Sequence, residues 1–119
     1  MSGFFKLLFQ LRPSPGSTDS AYRHAVLIDA NGSRREIASA EVELEAIRYR
    51  PVAGRELPLA WRIGLPTIGR ELLVEALHPE QWMDVDFPYW EGAVRVRGGD
   101  EGSRGVGYME LTGYPPGDR

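Results

Sequence analysis

Apolar and polar residues alternate along most of this chain, with the period of two that marks strands buried on one face. Eight stretches carry the pattern, at about 4–12, 22–29, 33–38, 41–49, 57–65, 70–77, 89–97 and 104–114. No helical period is sustained beyond a turn. AEVELEAI invites a helix, but Val42, Leu44 and Ala46 alternate with Glu41, Glu43 and Glu45, as a half-buried strand requires. Turn chemistry separates the stretches. PSPGSTDS at 13–20 is a loop, and Asn31-Gly32 within DANGS tolerates the positive φ of a hairpin turn. PTIG at 66–69 makes a further turn and GGDEGS at 98–103 a looser one.

The segment 57–77 specifies its own register. With the turn centred on Thr67, Ile63 faces Leu72, Trp61 faces Val74 and Leu59 faces Ala76, all on one face. Arg62 falls on the other face with Leu73 and Glu75. One register satisfies both strands, which places Trp61 on the core side. Short strands joined by tight turns predict an all-β, antiparallel up-and-down barrel, closed or partly open, with an open sandwich as the alternative. A barrel of eight strands is filled by its own side chains or holds one small apolar ligand.

Composition narrows the classes. A chain of 119 residues suits one domain spanning 1–119 and buries a core without disulfides or metal. Fourteen basic residues against seventeen acidic ones, with no basic run, argue against non-specific nucleic-acid binding. There is no cysteine to report on the redox compartment. FFKLLF is interrupted by Lys6, is too short to span a bilayer, and lacks the layout of a signal peptide. No transmembrane segment is expected, and localisation stays open.

Familiar catalytic signatures are missing. There is no GxSxG and no cysteine, so no nucleophilic triad is visible. HPEQWMDVD brings His78, Asp84 and Asp86 close in sequence, but not at a recognised zinc or calcium spacing. A polar loop with Trp82 capping the barrel is the simpler account, and neither metal nor cofactor is expected. The glycines at 98–107 do not lead from a strand into a helix, so they form no dinucleotide loop.

LPLAWRIGLPTIGRELLVEAL, PEQ, YWEGAVRVRG and GVGYMELTGY follow one another at a characteristic spacing. Together they resemble the C-terminal lipocalin-like domain of the carotenoid 1,2-hydratase and AttH-like (predicted secreted hydrolase) family. LLFQLR and DANGS resemble its early strands, so the resemblance covers about 5–114. It implies a lipocalin-like barrel and an apolar ligand. In that family two such halves share a chain, and the named activity adds water to an acyclic carotenoid without a cofactor. The Asp-His-Glu-Trp-like segment to which that catalysis is attributed has no match here. The resemblance therefore implies fold and ligand class more strongly than activity.

Hydrating an alkene at neutral pH needs a strong proton donor, such as a carboxyl kept protonated by an apolar site. On 89–97, Trp90, Gly92, Val94 and Val96 form the core face, and Glu91 points outward, to pair with Arg62 or Arg95. On 104–114 neither face is clearly apolar. A register pairing Val94 with Tyr108 and Gly92 with Glu110 avoids setting Glu91 against Glu110, a disfavoured like-charge pair. It turns Glu110 inward beside Tyr108 and Trp90, where the missing side chain of Gly92 leaves room. Glu110 is thus the candidate catalytic acid, against the plainer reading of a structural carboxylate. Trp61, Trp90, Tyr108, Tyr114 and Glu91 are the candidate ligand contacts. The expected function is binding of an apolar terpenoid, carotenoid or lipid-like molecule. The alternatives are half of a cofactor-independent hydratase or cyclase, completed by a second copy or a partner half, and a structural domain with a filled barrel.

Overall fold

The computed structural model describes residues 5–12, 22–29, 31–98 and 104–112. Among the described residues nine strands run in chain order: β1 (Phe5–Arg12), β2 (Tyr22–Asp29), β3 (Arg34–Ile37), β4 (Glu43–Val52), β5 (Arg55–Leu65), β6 (Arg70–Ala76), β7 (Trp82–Met83), β8 (Tyr89–Gly98) and β9 (Arg104–Thr112). Two short 3-10 turns, Ser39–Glu41 and Pro66–Ile68, interrupt them. Every pairing is antiparallel. The eight anticipated strands are all present, and β7, only two residues long, is additional.

The strands form two sheets, β1-β2-β3 and a larger one built from β4, β5, β6, β7, β8 and β9. Among the described residues no backbone pairing joins the two sheets, so this is an open lipocalin-like fold. Both β6 and β7 pair with β8, along Val94–Gly98 and Tyr89–Trp90 respectively. β9 pairs with β8 along the whole of Tyr89–Arg97, so it must occupy the opposite edge. Residues 77–81 loop out between β6 and β7. Leu77 N–H donates to the Ala93 carbonyl and Glu91 N–H to that of Gln81, which holds the interruption against β8.

The anticipated β5–β6 register is the one found, with Ile63 opposite Leu72, Trp61 opposite Val74 and Arg62 opposite Leu73. Gly69, at φ 65°, closes the intervening turn by donating its N–H to the Pro66 carbonyl. β4 and β5 meet at Ala53-Gly54, both at positive φ (52° and 75°), the twist that a two-residue hairpin requires. A β-bulge between Ala46 and Arg48 leaves Ile47 unpaired.

Two buried clusters hold the fold together. In the first, Ala25 and Ile37 of the small sheet pack on Ile63, Leu65, Leu72, Val74 and Val94 of the large one. The second joins Val52, Leu57, Leu59, Trp90 and Leu111 at the other end of the large sheet. Pro58 is tolerated inside β5 because β6 pairs only from Ala60 onward, so its missing N–H breaks no ladder on that side.

Candidate functional site

The inner face of the large sheet carries Trp61 and Trp90. Trp90 is fully buried, and its indole N–H donates to the Pro79 carbonyl at 2.8 Å. The 77–81 loop therefore satisfies the polar atom of the largest core side chain. Trp82, paired across from Trp90, packs on the same cluster. The Arg55 guanidinium stacks over the Trp82 ring at 4.3 Å, a cation–π contact that seals this end. Trp82 thus sits in β7 rather than in a polar loop, packed against the cluster around Trp90. Trp61 is different. It touches both clusters yet stays half-buried, with its N–H donating to the Pro58 carbonyl at 2.9 Å. It lies in a row crossing the sheet, Ala46–Trp61–Val74–Val96–Gly105, of which only Val74 is buried.

The β8–β9 register is the one that charge alone argues against. Glu91 stands opposite Glu110, Gly92 opposite Met109, Ala93 opposite Tyr108 and Trp90 opposite Leu111. Glu110 and Tyr108 therefore lie on the outer face, Glu110 exposed and Tyr108 67% exposed. The expectation that both point inward beside Trp90 is overturned. So is the room supposed at Gly92. A Cβ there would lie 3.1 Å from both the Trp90 ring and the Gln81 side chain, which fill the space. The reason for the register lies with the glycines of β9. Gly107 faces Val94, whose methyl would be 3.2 Å from an added Cβ, so β9 presents its small atoms to the core and its large ones to solvent. Setting Glu91 against Glu110 is tolerated because Glu110 is in water and Tyr108 donates its hydroxyl to Glu91 at 2.9 Å.

Sequence reasoning thus grouped residues that the fold separates. Trp61 and Trp90 lie inside, while Glu91, Glu110 and Tyr108 lie outside. Tyr114 falls outside the described residues. Tyr89, absent from the sequence-based set, belongs to the outer group by simple alternation with Glu91. The Glu91 charge above all pushes the Tyr89 phenol above its ordinary value, and the hydrogen bond to Glu91 does the same for Tyr108.

Glu91 does not pair with Arg62 or Arg95. Arg62 reaches three other carboxylates, Glu71 at 2.8 Å, Glu45 at 2.9 Å and Glu43 at 3.4 Å. These contacts hold its guanidinium still more firmly protonated. Arg95 lies 4.0 Å from Glu75, which accepts a 2.8 Å hydrogen bond from Arg48. The alternation that places Arg62 outward carries the signal, since Glu43, Glu45 and Glu71 share that face.

A family model described as AttH-like matches residues 6–114. A crystal structure of an AttH candidate from Nitrosomonas europaea superposes with a TM-score of 0.77 at 33% identity, over 93% of this chain and 35% of its own. No curated protein matches the chain.

Proposed function

The chain belongs to the AttH-like family, and from that premise we propose that it binds an apolar small molecule of terpenoid or lipid-like character on the inner face of its large sheet. The supporting observation is the row through Trp61. An indole on the core side of a sheet is normally covered, yet Trp61 remains half-buried between two packed clusters. Ala46 and Val96 beside it are also partly open, and Gly105 ends the row without a side chain. An apolar body lying along this row would remove the remaining aromatic surface from water. No titratable side chain belongs to the row, which suits binding better than proton transfer. The test is a titration with an acyclic terpenoid followed by tryptophan fluorescence. Saturable quenching is expected, and Trp61→Leu should weaken binding by roughly tenfold, about 1.4 kcal/mol. No saturable change up to the ligand's solubility limit would refute binding.

A second reading, half of a cofactor-independent hydratase or cyclase, draws on a separate observation. The chain spans 35% of the length of the N. europaea protein. Glu91 and Glu110, with Tyr89 and Tyr108, face outward, where a second copy or a partner half would meet them. A mass gain of one water on the terpenoid, seen only when the partner is present, would favour this reading. Binding without conversion in either case would favour the first.

A further inference from the structure

The outer face of the large sheet is divided by charge. On one side Arg62 is surrounded by Glu43, Glu45 and Glu71. On the other side three arginines, Arg48, Arg95 and Arg97, gather around one carboxylate. Glu75 pairs with Arg48 at 2.8 Å and lies across the β6–β8 ladder from Arg95. Arg97 lies opposite Leu73 on β6 and, on its other side, directly opposite Arg104 of β9. Arg95, Arg97 and Arg104 are all exposed. A like-charge pair such as Arg97–Arg104 is unfavourable in a ladder, and an anion bound over the two would relieve it. The charges of Arg95 and Arg97 reach Glu75, adding to the Arg48 hydrogen bond that chiefly depresses its carboxyl.

Beside this group the sheet surface is hollow. The bulge in β4 lifts Ile47 out of the ladder, 49% exposed, and Leu73 rises from β6, 43% exposed. Between them Ala60 supplies a floor of only a methyl group. Ile47, Arg48, Ala60, Leu73, Val74, Glu75 and Arg97 enclose a depression of about 210 Å³. That is roughly seven times the ~30 Å³ share of a water molecule, so it takes a small molecule or one end of a larger one.

We propose that this depression is a binding site for a small amphiphilic carboxylate, its apolar chain over Ile47, Ala60 and Leu73 and its carboxylate on Arg97 with Arg104. The apolar floor lies beside Arg97, while the other two charged groups of the lining, Arg48 and Glu75, are paired with each other. Planar guanidinium groups match a carboxylate in pairs. The site is on the opposite face of the sheet from Trp61, so it is independent of the function proposed above.

Octanoate is the probe, titrated into the full chain and followed by methyl and indole NMR shifts. The Ile47 and Leu73 methyls should move saturably while the Trp61 indole stays in place. Octan-1-ol, which has the same chain without the charge, should bind at least tenfold more weakly. Arg97→Gln, an exposed substitution that leaves the core intact, should weaken octanoate about fivefold or more, and so should Leu73→Ser. Vesicles of phosphatidylglycerol should not shift these methyls. Equal affinity for octanol, unchanged affinity in Arg97→Gln, or shifts produced only by the vesicles would each overturn the proposal.

Discussion

A carboxylate between two phenols sets up a titration that can be read directly. Glu91 accepts the Tyr108 hydroxyl and raises both Tyr89 and Tyr108 above the ordinary phenol value of 10.0. A raised phenol keeps its proton in the folded state after the unfolded chain has begun to lose its own. The folded state's advantage is therefore complete below about pH 10 and falls as pH rises above it. An absorbance titration of the tyrosines should show two ionising late, and Glu91→Gln should bring them back toward the rest. Superimposable curves for the two proteins would contradict the arrangement. Gly92 is the residue where the inner face is tightest. An alanine Cβ would press on Trp90 and Gln81 at 3.1 Å. Gly92→Ala is expected to cost about 1–3 kcal/mol, measured as a lower urea midpoint.

Strand by strand, the alternation locates β1 to β6, β8 and β9 because each has one face that must be dry. The like-charge argument against setting Glu91 opposite Glu110 misleads, and alternation favours neither face of β9. Its apolar residues Val106 and Tyr108 lie on the outer face, 86% and 67% exposed, while Gly105 and Gly107 face the core. Register there is set by the bulk of Val94 and Trp90 on the neighbouring strand, which no reading of β9 alone reveals. Glu110 is misplaced by the charge argument for that reason, and the room expected at Gly92 is absent because the Trp90 ring and the Gln81 side chain fill it. Trp61 is placed correctly because both of its neighbouring strands agree. The β4–β5 turn is hidden differently. Ala53 stands where the left-handed backbone favours asparagine or glycine, so the usual hairpin signal is missing. Ala53→Asn creates Asn-Gly at this turn and should stabilise the domain by about 0.5–1 kcal/mol. The check is a urea midpoint that rises without a change in slope, and a fall would show that the new amide side chain disturbs the turn.

Among the described residues the two sheets share a core but not a ladder, which leaves strand edges open. Among the described residues β9 has a single partner, β8, and its other edge offers unpaired backbone groups. Such an edge is a template for another strand unless charge or a bulge blocks it. On the outer face of β9 two large side chains, Val106 and Tyr108, stand in solvent at its centre. An open edge of this kind favours association, with a two-fold dimer the simplest closed form, since one edge strand pairs antiparallel with its own copy. Light scattering at high protein concentration should give twice the chain mass. Val106→Lys puts a charge at the middle of that edge and should return the monomer, with a fold otherwise unchanged by circular dichroism. The thermal midpoint of the native chain should then rise with protein concentration, and that of the variant should not. A native chain that stays monomeric with a concentration-independent midpoint would leave β9 a bare edge and remove the dimer from the account.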